Sequence, residues 1–149
     1  MTAPAKLALL VLQGLQVAFV LLHDWVPLGR WSNRTAVRAS DSTLKLLWTT
    51  ILSALPFAVP FGFCCWLRVW PMWLLTWLLY TYAVGLVMIV FVWWIPYFSS
   101  KDSERAERYR TRFAGTIGFL PKRHGFAPDA LHVMYHCCVV ATVVLLVLR

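Results

Sequence analysis

Four long apolar runs dominate the sequence and constrain its fold more than any other feature. They cover residues 7–22, 44–67, 70–98 and 131–148, and nearly all charged residues lie between them. Each run approaches or exceeds the roughly 20 residues that a helix needs to cross hydrocarbon. Because backbone polar groups cannot stay unpaired in lipid, such segments are helical. The sequence therefore predicts an all-α polytopic membrane protein, an antiparallel four-helix transmembrane bundle forming a single domain over residues 1–149.

The distribution of basic residues indicates how the chain threads the membrane. Eleven of the 14 Lys and Arg residues fall in or beside loops 23–43 and 99–128, and the other three are Lys6, Arg68 and Arg149. Cytoplasmic loops carry an excess of Lys and Arg. We therefore expect both loops in the cytoplasm and both termini outside it. The net charge of +8 is then mostly a consequence of the membrane topology. Membrane lipids, not nucleic acid, are the expected partners.

The third loop, 99–128, is long enough to hold structure of its own. Residues 102–113 are mostly good helix formers, and Glu104 precedes Arg108 by four residues, a favourable helical pair. We expect a short cytoplasmic helix here. Its arginines either rest on anionic lipid head groups or face solvent and only set the topology.

Polar residues inside the spans predict which helix faces look inward. Gln13 and Gln16 lie on one face of the first span, and Ser53 lies in the second. An unpaired polar group in hydrocarbon is costly, so polar stripes normally face other helices. The sequence predicts an interior stripe containing Gln13, Gln16 and Ser53.

Histidine and aspartate residues gather where the first span ends and the last begins. Asp129, His132 and His136 have the i, i+3, i+7 spacing of one helical face, and His23 and Asp24 end the first span at the same boundary. Two histidines four residues apart can share a metal ion, and ionisable groups at membrane depth are candidates for function. These five residues form the predicted metal site.

Three uses of this cluster stay open at the level of sequence. The glutamate of a His-Glu-x-x-His motif is missing, so a zinc enzyme is only weakly indicated. The histidines could form structural hydrogen bonds, hold a metal ion or a haem, or act as a proton-relay or acid/base site. No glycine-rich phosphate loop, serine-hydrolase elbow or Cys-x-x-Cys motif occurs in the sequence.

Three stretches carry a resemblance to a known group of proteins. They are residues 23–29 (HDWVPLG), residues 93–98 (WWIPYF), and residues 119–136, which run from Phe-Leu-Pro through Leu-His-Val to His. Over most of its length the chain resembles small four-span bacterial integral membrane proteins of uncharacterised function. The resemblance implies this fold and a location in the bacterial inner (plasma) membrane. It implies no activity.

The combined features favour a non-enzymatic accessory or small transport protein. One alternative is a metal- or haem-dependent membrane enzyme that uses the His/Asp cluster, and another is a proton-coupled transporter. Four short spans enclose little interior volume. A transport route is therefore expected to need a homo-oligomer or a partner membrane subunit.

Overall fold

A computed structural model describes residues 1–99 and 103–149, and the regular elements in these two ranges are helices joined by loops. The helices are α1 Ala3–Leu22, α2 Arg34–Ser40, α3 Thr43–Trp66, α4 Met72–Ile89, α5 Ile95–Phe98, α6 Ser103–Arg112 and α7 Ala130–Val147. A π-helical turn, Val90–Trp94, joins α4 to α5 without a break. No strand occurs among the described residues, so the prediction of an all-α chain is confirmed.

Four of these helical segments are long and apolar enough to cross a membrane. They are Ala3–Leu22, Thr43–Trp66, Met72–Phe98 and Ala130–Val147. Their ends lie close to the predicted ones, and the largest difference is at the start of α1, which begins at Ala3. The helix can begin before Lys6 because Pro4 lies in its first turn, where the missing backbone donor of proline has no helical partner to lose.

The four long segments contact one another in a closed ring. Helix α1 contacts α3 and α7, and α4 contacts the same two helices. Leu9, Leu74, Leu78 and Val139 form the centre of the apolar core and have no exposed surface. The side chains on the outer faces are mostly apolar or aromatic, and many of them, such as Leu7 and Tyr80, are largely exposed. Such a surface suits a lipid solvent.

The polar residue predicted to face inward from the second span does not do so. Ser53 is exposed on the outer surface of α3, whereas Ala54 and Cys64 are buried. Thr49, one turn earlier, shows why a hydroxyl can face outward in a helix: its Oγ1 donates to the backbone oxygen of Lys45 at 2.8 Å. Because the hydroxyl of Ser or Thr can hydrogen-bond to a carbonyl of its own helix, its position does not indicate which face of the helix is buried.

The segment between α5 and α7 folds back against one end of the ring, which we call the loop end. Helix α6 contacts α2 and α5. The Ile117 amide donates to the Arg30 carbonyl at 2.8 Å, so the segment after α6 contacts the segment after α1. The predicted helix 102–113 overlaps α6, and Asp102 lies outside the described residues. These contacts bring the ends of α1 and α6 next to the start of α7.

Candidate functional site

His23 is the first residue after α1 and is fixed by its own helix. Its ring stacks on Phe19, with centroids 4.4 Å apart and planes 12° from parallel. Its Nδ1 lies 2.8 Å from the Phe19 carbonyl oxygen, and its Nε2 lies 3.2 Å from Oδ2 of Asp24. A carbonyl and a carboxylate only accept hydrogen bonds. Both contacts are therefore satisfied when His23 carries a proton on each nitrogen.

Asp24 connects α1 to α6. The Nη2 of Arg112 donates to both carboxylate oxygens of Asp24, at 2.7 and 2.8 Å. Burial favours the neutral form of Asp24, but the hydrogen bonds and charges of His23 and Arg112 outweigh it and hold the pKa of the carboxyl well below its usual range. Asp24 is therefore an ionised carboxylate held between Arg112 and His23.

Asp129 both caps α7 and orients His132. Its Oδ1 accepts from the backbone amide of His132 at 2.9 Å and lies 2.8 Å from the Nδ1 of the same residue. The capping residue satisfies a backbone donor that has no partner within the helix. The same oxygen fixes Nδ1 as the protonated nitrogen, which leaves Nε2 as the acceptor of a neutral ring. Asp129 is thus the N-cap residue of α7.

The two aspartate–histidine pairs meet at the loop end. The His23 and His132 ring centroids are 5.4 Å apart, with planes 85° from parallel. Between the pairs lies a cavity of about 10 Å³, roughly the volume that one water needs. Four of the five predicted site residues thus surround a space of about one water molecule, with Arg112 also lining it.

His136 lies one turn deeper along α7 and is only 4% exposed. Its ring centroid is 6.5 Å from that of His132. Trp93 and Trp94 cover it, with centroid distances of 5.6 and 5.8 Å. Neither ring nitrogen of His136 has a hydrogen-bond partner in the part of the chain that the structure describes. A buried imidazole without partners is energetically unfavourable, which makes His136 the most unusual residue of the site.

Buried polar groups continue beyond His136 into the ring of helices. Gln16 donates from Nε2 to Thr142 Oγ1 at 2.9 Å, and Gln13 Nε2 lies 4.0 Å from Cys64 Sγ. The side-chain oxygens of both glutamines and the hydroxyl of Tyr82 are buried without a partner among the described residues. We call this set the polar track; its members are His132, His136, Gln16, Thr142, Gln13, Cys64 and Tyr82.

The described residues do not support the predicted metal site. No group of three or more His, Cys, Asp or Glu side chains within residues 1–99 and 103–149 is arranged to hold a metal ion. The aspartates instead contact histidine and arginine nitrogens. The cavity between His23 and His132 is also far smaller than a porphyrin. Metal ligation by His132, His136, His23, Asp24 and Asp129 stays a prediction.

Sequence reasoning missed two contributors to the site. Arg112 follows Asp24 by 88 residues, so no local spacing connects them, and its charge fits a topology signal equally well. Trp93 contacts both His132 and His136, with ring centroids 4.4 and 5.6 Å apart. It lies in the π-helical turn Val90–Trp94, and π-helical turns often occur at functional sites. The adjacent Trp93 and Trp94 were the only local signal.

Comparison with protein-family models, with curated proteins and with solved structures finds no match to the chain.

Proposed function

We propose that the chain is a small integral membrane protein of the transport class, not an enzyme, and that its polar track carries protons. The observation that carries this proposal is His136, a buried imidazole with no described partner for either nitrogen. Such a group is costly to bury, and polar residues at membrane depth are rare unless they function. Histidine is also the side chain that most readily gains and loses a proton near neutral pH.

The length of the polar track supports this role. Along α1, His23 and Gln13 are ten residues apart, which corresponds to about 15 Å along the helix axis. Lys6, about 10 Å further on, donates from Nζ to the Arg68 carbonyl at 3.4 Å, at the end opposite the loop end. Along α1, buried polar groups therefore extend from the loop end to Gln13, about 10 Å short of Lys6. Protons could move along them with the help of internal water.

The proposal includes an antiparallel transmembrane bundle with the loop end in the cytoplasm and both termini outside. Gln16 bonds to Thr142 and His23 packs against His132, the order of contacts expected when α1 and α7 run in opposite directions. Contacts between the loops after α1 and after α6 favour a common side for both. The basic residues of these loops favour the cytoplasm, and the resemblance favours a bacterial inner membrane.

Cysteine labelling tests this topology. In a background without native cysteines, we expect Arg34→Cys and Arg110→Cys to react with a membrane-impermeant maleimide only in inverted vesicles. Arg68→Cys, at the opposite end, serves as the control and is expected to react only in spheroplasts. Reaction of the Arg34 and Arg110 positions from different sides would contradict an even number of crossings between them.

Proton flux into liposomes tests the role of His136. Purified protein is reconstituted into vesicles that contain a pH-sensitive dye, and a potassium diffusion potential drives protons inward. We expect His136→Phe and His136→Gln to lower the protein-dependent flux by about 100-fold, the lower limit for a well-placed proton-transfer group. Phe fills the buried site without a polar atom, whereas Gln keeps polarity without titrating near neutral pH.

Met134→Phe is the matched control for this experiment. Met134 lies on the same helix but is 51% exposed on the outer face, so an aromatic ring there leaves the polar track intact. The flux of this variant is expected to equal that of the unmodified protein. Equal fluxes for all variants, or no flux above that of empty liposomes, would overturn the proton role and leave the accessory role.

The proposed role in transport also has a consequence for the oligomeric state and the partners of the protein. The cavity between His23 and His132 at the loop end has room for only about one water molecule. Transport of anything larger than a proton is therefore proposed to need a homo-oligomer or a partner membrane subunit.

A further inference from the structure

A short basic hairpin lies at the end of the third membrane segment. Arg123 and Phe126 exchange backbone hydrogen bonds of 2.9 and 3.1 Å. His124 and Gly125 between them have φ values of 52° and 85°, as a tight two-residue hairpin turn requires. With the preceding Lys122 this turn forms what we call the cationic hairpin, residues 122–126.

Aromatic packing holds the cationic hairpin in place. Phe126 is 1% exposed, and its ring centroid is 6.2 Å from that of Tyr97 and 5.4 Å from that of Tyr109. The Tyr97 hydroxyl donates to the Pro121 carbonyl at 2.8 Å. The backbone that carries the cations is therefore ordered before any ligand binds, which lowers the entropic cost of binding.

Arg123 lies where the membrane segment ends. Its guanidinium is 5.1 Å from the centroid of the Phe98 ring, and Phe98 is the last residue of the segment Met72–Phe98. Phe98 is 57% exposed, and Phe119, two residues before the Pro121 that accepts from Tyr97, is 60% exposed. Cations beside exposed aromatic rings at the end of a span are typical of the boundary between hydrocarbon and head groups.

Lys122 faces an open cleft of about 410 Å³. Arg110 also lines the cleft, and Gly115, Gly118 and Gly125 contribute side-chain-free stretches of its wall. Glu107 pairs with Arg110 at 2.6 Å and offsets its charge. Within the described part of the chain, neither Lys122 nor Arg123 forms an ion pair. The cleft therefore has unopposed positive charge beside it.

We propose that the cationic hairpin binds an anionic phospholipid, with the lipid phosphate in the cleft beside Lys122 and the acyl chains near Phe98 and Phe119. The exposed aromatic side chains next to the cations favour a lipid over a free anion, because only a lipid also supplies acyl chains that pack against them. This inference rests on the membrane-spanning part of the proposed function and is independent of the proton role. Failure of either experiment leaves the other unaffected.

Lipid titration of the purified protein in uncharged detergent tests the inference. The thermal unfolding midpoint is followed as phosphatidylglycerol is added, with phosphatidylcholine and inorganic phosphate as separate arms. We expect phosphatidylglycerol to stabilise the protein selectively. The double variant Lys122→Gln/Arg123→Gln is expected to bind it roughly thirtyfold more weakly, about fivefold for each cation near an anionic head group. Lys122→Gln alone is expected to weaken phosphatidylglycerol binding about fivefold.

Arg30→Gln/Arg34→Gln is the matched control, since it removes the same charge from exposed positions in the other loop. It is expected to bind phosphatidylglycerol as tightly as the unmodified protein. Equal weakening in both double variants would overturn the site in favour of diffuse attraction. Stabilisation by inorganic phosphate alone, or equal binding of phosphatidylcholine, would overturn the lipid assignment.

Discussion

Asp24→Asn is expected to destabilise the protein by about 3 kcal/mol, because it leaves Arg112 and His23 without their shared carboxylate. Asparagine keeps the shape of the side chain but loses its charge. The expected cost is at the lower end for a broken buried pair, since 31% of the Arg112 side chain stays exposed while that of Asp24 is only 14% exposed. The free energy of unfolding by sodium dodecyl sulfate in mixed micelles measures the difference.

Asp41→Asn provides the control for this variant. Asp41 pairs with Lys45, whose side chain is 68% exposed, and a pair in such a setting contributes less than about 1 kcal/mol. Equal losses for the two variants would show that the Asp24–Arg112 contact is only a solvated surface pair. The two pairs differ in burial and in what they connect, since only Asp24 joins α1 to α6.

The contribution of Asp24 to the free energy of unfolding should also depend on pH and decrease in acid. Its pKa is lowered in the folded protein, so its contribution is complete above the unfolded value of about 4. The contribution is then lost as the pH falls through the lower folded value. The stability difference between the unmodified protein and Asp24→Asn should therefore be constant near neutral pH and shrink in acid.

The long helices could be predicted from the sequence because their cause is local. Each needs only a sufficient run of apolar residues, and the four runs are interrupted by loops that carry most of the charge. The inward faces were harder to predict. Gln13 and Gln16 are buried as the spacing indicated, whereas Ser53 is exposed. An amide cannot satisfy all its hydrogen-bonding groups on its own helix, but a hydroxyl can, so only the amides identify the interior.

The features of the candidate site are likewise of two kinds, those with a local cause in the sequence and those that depend on helix packing. The cap formed by Asp129 and the shared face of His132 and His136 follow from spacings of three and four residues. Their meeting with His23 depends on how α1 and α7 pack, and the pairing of Asp24 with Arg112 depends on where α6 folds. Neither contact has a local signature. These long-range contacts place the two aspartates against histidine and arginine nitrogens.

Asp129→Ala is expected to destabilise the protein by about 3 kcal/mol through two lost contacts of one oxygen. Loss of the helix cap costs about 1 kcal/mol, and the buried Nδ1 of His132 loses its acceptor, which costs about 1–3 kcal/mol. Asp129→Asn keeps an oxygen that can accept both bonds, so the stability lost in this variant should be distinctly smaller.

Thr2→Ala is the matched control, because Thr2 precedes α1 but its side chain forms no capping bond. This variant should leave stability unchanged. Detergent-based unfolding measures all three variants. A loss for Asp129→Ala no larger than that for Asp129→Asn would show that the oxygen of Asp129 neither caps α7 nor holds His132.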